Sequence, residues 1–197
     1  MGFVTLGCFL VFFLTPDHSN IAARALGLEG AIMVMISHGF ISGALFIGVG
    51  FIYDRLHTRQ IQDIQGIANS MPIFASFFML FSLANVGLPG TSGFVGEFMI
   101  ILGALKSHFW IAIAAASTLI FGAAYTLWMY KRVIFGAVGS DSIGALRDIR
   151  GIELVSFSIL ALMVLLIGVY PAWLLDLMHQ SVSNVLELAS LSKVTIG

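Results

Sequence analysis

Residues 85–103, NVGLPGTSGFVGEFMIILG, decide how this chain is read. They set Pro89 and the glycines Gly87, Gly90, Gly93 and Gly96 directly ahead of a lone carboxylate, Glu97. Residues 64–96 contain no Asp, Glu, Lys or Arg, and residues 98–105 are apolar again. Glu97 therefore stands at what reads as hydrocarbon depth, where an ionisable group is expensive and marks a functional site by default. The plainer alternative is a structural ion pair or a helix-terminal cap near a membrane surface. The residues alone leave both open.

Composition settles the class around that stretch. The 197 residues are 59% hydrophobic and only 10% charged, with 17 phenylalanines, and the mean hydropathy is +1.02. A soluble domain carries about 25% charged residues, so this is an integral membrane chain. A net charge of −1 provides no basic face for nucleic acid. The single cysteine, Cys8, excludes an internal disulfide and a cysteine-based metal site.

Backbone groups in lipid must be satisfied within their own helix, and a crossing takes about 20 residues. Uncharged runs of that length are Gly30 to Tyr53, Ser107 to Tyr130 and Leu154 to Leu175. The run Met1 to Leu14 is shorter, lacks a cationic start and is followed by no clear small-residue cleavage site, which argues against a signal peptide. It reads as the second half of a helix, so the chain is expected to be a fragment of a longer protein or the product of a mis-assigned start. Residues 15–28, with Arg24, read as interfacial loop. Within the first long run, Gly39 and Gly43 form a small-xxx-small pair suited to close helix contact. The tail from Asp176 to Gly197 mixes leucine and valine with Asp176, His179, Glu187 and Lys193, and reads as an amphipathic segment beyond a transmembrane region of residues 1–175.

Between Asn69 and Leu105, two short helices joined by residues 87–91 compete with one broken element. Pro89 has no N–H and stops a regular helix, so an interruption is expected at Gly87 to Thr91. Irregular backbone at membrane depth is tolerated only where protein or a water cavity covers it. That places a candidate pathway beside Glu97. His38, near the middle of its run and next to Ser37, is either a buried histidine satisfied by a neighbouring hydroxyl or carbonyl, or a proton relay. Lys106, nine residues beyond Glu97, reads as a snorkelling end residue. Trp110 near one end of its run, and Tyr125, Trp128 and Tyr130 near the other, read as aromatic belts. The cations divide weakly, with Arg24, Lys131, Arg132, Arg147 and Arg150 assigned to one side and Arg55, Arg59 and Lys106 to the other. The Arg59 and Asp63 pair is spaced to support a helical extension.

The runs MGFVTLG, MISHGFISGALFIGVGFIYDRLHTR, LANVGLPGTSGFVGEFMI and AAYTLWMYKRVIFG resemble the C-terminal part of the M-type, or chain 4, antiporter-like subunits of proton-pumping NADH:quinone oxidoreductase, respiratory complex I. The resemblance covers essentially the whole chain and is most specific from Leu83 to Ile100. It implies an all-α polytopic membrane helix bundle, the C-terminal part of a 14-helix subunit with about five or six transmembrane helices present. In that family two inverted repeats each hold a broken helix, and charged and polar groups run through the membrane centre. The family's glutamate in the second broken helix matches Glu97 in the GEF triplet, and its histidine in an HG pair matches His38. L- and N-type subunits and the cation/proton antiporter subunits usually carry lysine where this chain has Glu97. A family histidine precedes the MGFV run, and this sequence starts one residue after it. The first repeat is absent too, so a fragment or a nonfunctional or structural remnant stays an alternative, as does a subunit of a cation/proton antiporter. The resemblance further implies proton transfer at Glu97 and His38, and no cofactor or metal bound by this chain. FMN, iron–sulfur clusters, NADH and quinone would sit in other subunits. Its neighbours would be L-, N- and K-type membrane subunits, in a bacterial inner membrane or, alternatively, a mitochondrial one.

Overall fold

Every regular element among the described residues is helical. The computed structural model describes residues 1–12, 14, 20–58, 60–136 and 141–194. The elements are α1 (Gly2–Phe12), α2 (Ile21–Leu56), α3 (Pro72–Asn85), α4 (Ser92–Ser107), α5 (Phe109–Val133), the short α6 (Asp141–Gly144), α7 (Ile152–Val169) and α8 (Ala172–Val194). Two 3-10 turns, Ile61–Asp63 and Ile67–Asn69, lead into α3. Helices α2, α5 and α7 are long and apolar enough to cross a membrane, while α1 and α3 are shorter apolar helices. The bundle is therefore that of a polytopic membrane protein. The Arg59 and Asp63 pairing falls partly outside the described residues, because Arg59 does.

Helix α2 is the axis. At 36 residues it is roughly 54 Å long at 1.5 Å per residue, and α1, α3, α4, α7 and α8 all pack on it. Its first turns include residues that the sequence places in a loop. Arg24 is only 3% exposed, and its Nε donates to the Val11 carbonyl at 3.1 Å. That carbonyl belongs to the last turn of α1, where no intrahelical partner exists, so a cation inside the fold caps a neighbouring helix.

The α2–α4 seam is made by glycine. A Cβ added at Gly30 would lie 2.9 Å from the Gly96 carbonyl oxygen, and one at Gly96 would lie 2.7 Å from the Val34 amide nitrogen. Further along, Gly103 faces the Ala23 carbonyl, and Gly7 of α1 abuts Gly27. Gly39 and Gly43 are not part of this contact, since a Cβ at either would meet nothing within 4 Å. The close-approach face of α2 is thus Gly27 and Gly30, one turn apart in their own stripe. Spacing alone does not distinguish the two faces.

Helices α3 and α4 run in succession along α2 and antiparallel to it. Phe78 of α3 sits against Gly48, and Gly103 of α4 sits against Ala23 and Gly27. The α4 end is tied to the α2 start, where Asn20 Nδ2 donates to the Lys106 carbonyl at 2.9 Å. Together the two short helices span the bundle once. This regroups the cations. Arg24 and Lys106 share one end of the bundle. Arg55, which donates to Glu153 Oε2 at 2.6 Å and to the Arg147 carbonyl at 3.1 Å, is at the other end with the C-terminus of α5. The sequence assignment separated Arg24 from Lys106 and joined Arg55 to Lys106, because a chain interruption in the middle of a crossing looks like a pair of crossings.

The end near Arg55 has an aromatic core. Phe157 of α7 packs against Phe74 at 5.9 Å and Phe81 at 5.3 Å between ring centroids. The start of α3 is capped from the loop before α7, where Asp148 accepts from the Ile73 amide at 2.7 Å and the Phe74 amide at 3.1 Å. Tyr130 is also inside, donating from its hydroxyl to the Ala75 carbonyl at 2.8 Å, whereas Trp110, Tyr125 and Trp128 are exposed. The sequence grouped Tyr130 with the belt, but its hydroxyl is spent on α3. The run Leu154 to Leu175 is divided at Tyr170 and Pro171, where α7 ends and α8 begins. Helix α8 then lies back along α2, with Val182 and Leu186 against Val11, Ala25 and Leu28 and His179 Nδ1 2.8 Å from Glu29 Oε1.

Candidate functional site

The interruption between α3 and α4 is a built turn. Leu88, Pro89, Gly90 and Thr91 close with the Thr91 amide donating to the Leu88 carbonyl at 3.1 Å, and Gly90 has φ +89°. Proline followed by a positive-φ glycine is the sequence demand of a type II turn. Gly87 adds a second positive φ, +74°. The Thr91 hydroxyl donates to the same Leu88 carbonyl at 2.7 Å, and the Leu88 amide returns to the Leu83 carbonyl at 3.0 Å. The turn satisfies much of its own backbone, as membrane depth requires.

Behind the turn α4 begins, held on α2 by a hydroxyl pair. Ser37 Oγ donates to Ser92 Oγ at 2.7 Å, and both residues are buried. Gly93 sits against the Ala84 carbonyl and Gly96 against Val34. Glu97 follows on the next position of α4, with its carboxylate folded back beneath the turn. A Cβ on Gly87 would come within 2.7 Å of Glu97 Oε2 and 3.5 Å of Leu119 Cδ2 of α5. Gly87 is thus required twice, for its φ and for the room it leaves the acid. Glu97 Oε2 is buried and has no hydrogen-bond partner among the described residues.

Glu97 and His38 line the same cavity, of about 700 Å³. Its walls come from the start of α1, the middle of α2, the end of α3, the first turns of α4, and α5, and its polar groups include Ser37, Asn85, Thr118 and Tyr125. The two sequence-selected residues are therefore brought to one space from helices 59 positions apart in the chain. Ser37, beside His38, bonds Ser92 and not the imidazole, while Ser42 Oγ donates to the His38 carbonyl at 2.5 Å. Lys106 is not brought to the site. It is exposed at the far end of α4, beside Asn20. The sequence reading missed Asn85, Thr118 and Tyr125. Their only signal was polarity within apolar runs, which Ser76 and Ser117 share without lining the cavity.

A family profile described as NADH:quinone oxidoreductase/Mrp antiporter, TM matches residues 18–122, more than half of the chain and all of the α2–α4 seam with the turn. The chain belongs to this family. The relatives it resembles are of the M or chain 4 type. NADH-quinone oxidoreductase subunit M of Rhodobacter capsulatus is 46% identical over 202 residues, covering 100% of this chain and 37% of the relative. NADH-ubiquinone oxidoreductase chain 4 of Marchantia polymorpha is 43% identical, covering 95% of this chain and 35% of the relative. The chain thus spans little more than a third of the length of these relatives. Among solved structures, respiratory complex I from Thermus thermophilus with bound NADH contains a chain that matches with a TM-score of 0.80 at 31% identity, over 95% of this chain and 37% of that one. The Mrp complex from a Dietzia species matches with a TM-score of 0.74 at 22% identity, over 100% of this chain and 42% of that one. This second likeness is one of fold.

Proposed function

We propose that this family member is the C-terminal part of a proton-translocating M-type subunit of NADH:quinone oxidoreductase, contributing about five or six of fourteen crossings. It moves protons while electrons pass from NADH to quinone elsewhere in the assembly. FMN, iron–sulfur clusters and the quinone site belong to other subunits, and L-, N- and K-type membrane subunits are its neighbours. Residues 1–175 form the conducting region and residues 176–197 an amphipathic tail.

The observation that carries this reading is a buried carboxylate oxygen without a partner among the described residues, at a helix break and on the wall of a cavity that also holds an imidazole. Discontinuous helices are where membrane proteins commonly build ion sites. In this arrangement Glu97 takes up and releases the proton. Water in the cavity links it to His38, which accepts on one ring nitrogen while the other releases. The turn formed by Gly87, Pro89 and Gly90 shapes the acid's seat, while Gly93 holds α4 close to the end of α3 and Gly96 holds it close to α2, so that the seat is rigid.

The test uses the complete, assembled enzyme. Glu97→Gln keeps size and hydrogen bonding but removes titration, and is expected to lower proton pumping on the order of tenfold or more. Glu97→Asp keeps the charge on a shorter arm and retains part of the rate. His38→Met slows pumping with the assembly intact. Pumping at the parental rate in Glu97→Gln, with all subunits present, would assign the acid a structural role. Sodium-dependent flux from the lone full-length protein would instead favour the cation/proton antiporter reading.

A further inference from the structure

Two buried hydroxyls outside the cavity do not do what hydroxyls on helices normally do. Ser42, Ser76, Ser117, Thr118 and Ser156 each donate to a carbonyl three or four residues back, the usual local solution. Ser82 Oγ and Thr126 Oγ1 have no hydrogen-bond partner among the described residues, although Ser82 is 0% and Thr126 3% exposed. A buried polar atom in that state calls for a specific explanation, and the commonest is bound water.

Helical spacing from shared anchors puts the two hydroxyls at one level of the α3–α5 interface. Helices α3 and α5 are antiparallel. They are anchored at one end by the Tyr130 hydroxyl on the Ala75 carbonyl, at 2.8 Å, and by the stacked Phe78 and Tyr130 rings, at 6.4 Å. At the other end Gly87 approaches Leu119. Ser82 lies four residues beyond Phe78, and Thr126 lies four residues before Tyr130, an equal step along each helix from the same anchor. Ala75, Phe78 and Ser82 share one stripe of α3 by their spacing of three and four, and Thr126 shares the Tyr130 stripe of α5. Ser82 lies three residues before the end of α3 at Asn85, roughly 4.5 Å along the helix axis, and Gly87, two residues further on, is where the unpartnered oxygen of Glu97 rests.

We propose that the proton path extends from Glu97 between α3 and α5, carried by water held jointly by Ser82 Oγ and Thr126 Oγ1, toward the bundle end at Tyr130, Lys131 and Arg132. This rests on Glu97 acting as a proton station. At the water one O–H bond forms to the arriving proton as another breaks to release one, so the water does not change its net protonation. Ser82 and Thr126 are positioning residues, because they hold the water that conducts.

The experiment is done in the full assembled complex. The double variant Ser82→Ala, Thr126→Val removes both hydroxyls with little change of volume and is expected to lower proton pumping about tenfold, the weight of a lost hydrogen bond or two in a limiting step. Ser82→Thr with Thr126→Ser restores both hydroxyls and is expected to return most of the rate, which a packing effect would not do. If Glu97→Gln loses pumping while the double variant pumps at the parental rate, the path between α3 and α5 is wrong and the role of Glu97 stands. If Glu97→Gln itself pumps normally, the underlying reading fails first. A second readout keeps the two apart and serves where the double variant does not assemble: a high-resolution structure of the parental complex. Ordered water within hydrogen-bonding distance of both Ser82 Oγ and Thr126 Oγ1 supports the path. A dry contact, or both hydroxyls turned onto helix carbonyls, overturns it.

Discussion

Replacing Gly96 by alanine tests the seam that seats Glu97. The new Cβ would lie 2.7 Å from both the amide nitrogen and Cγ2 of Val34 and 2.8 Å from the Gly30 carbonyl oxygen. Two of these neighbours are backbone atoms of a continuous helix and have no rotamer to change. Carbon packs at about 3.5 Å or more, so α2 and α4 must separate by roughly 0.8 Å, a gap at which each parted contact loses a quarter to a half of its attraction. Overpacking of this kind costs about 1–3 kcal/mol, and the upper part of that range is expected because the strain falls on backbone. Gly39→Ala on α2, the other helix of the seam, is the matched control, since a Cβ there meets nothing within 4 Å. Removing a glycine from a helix interior stabilises by about 0.5–1 kcal/mol. The assay is thermal unfolding of the full-length protein in detergent, with pumping of the assembled complex measured in parallel. A Gly96→Ala protein as stable as the parent, or a Gly39→Ala protein as damaged as Gly96→Ala, would refute the assignment of the seam to Gly30 and Gly96.

Other substitutions probe the turn and the cap. Gly87→Ala adds a Cβ 2.7 Å from Glu97 Oε2 at φ +74°. The left-handed backbone costs about 1–2 kcal/mol and the carboxylate must leave its seat, so pumping should fall further than thermal stability does; an equal loss of both would argue against a specific seat. Asp148→Ala removes the acceptor for the Ile73 and Phe74 amides and should cost about 1–2 kcal/mol, as lost helix caps do, with Asp148→Asn recovering part of it in the same melt.

Much of this organisation can be read from residue order, and the parts that cannot share a cause. The absence of charge from residues 64–96, and Pro89 within it, locate both the membrane and the interruption without any tertiary information. Glu97 is legible because it is the one acid between Asp63 and Asp141. What fails depends on contacts between distant segments. Arg24 looks like loop material until Val11 is beside it. Gly39 and Gly43 have the same spacing virtues as the glycines that touch, and only the position of α4 selects between faces. Asp148 caps a helix 75 residues earlier in the chain, a pairing no local pattern announces. The site is legible in its acid and its imidazole. Its hydroxyls are not, because a serine within an apolar run looks the same whether it bonds its own helix, as Ser76 does, or a neighbour, as Ser37 does.

Helix α7 ends against the turn at Gly168, where an added Cβ would sit 2.5 Å from Thr91 Cα and closer still to the Gly90 carbonyl. Two residues later the chain reaches Tyr170 and Pro171, the joint between α7 and α8. The two discontinuities of the bundle are thus stacked on each other, with a single hydrogen atom as the side chain between them. In lineages of this protein, position 168 and positions 90–91 share one volume and are not free to drift separately. A methyl gained at 168 survives only where the turn has moved away from α7, and a turn that moves takes the seat of Glu97 with it. Variation at these positions is therefore expected to be correlated, with the acid lost or relocated wherever the glycine is.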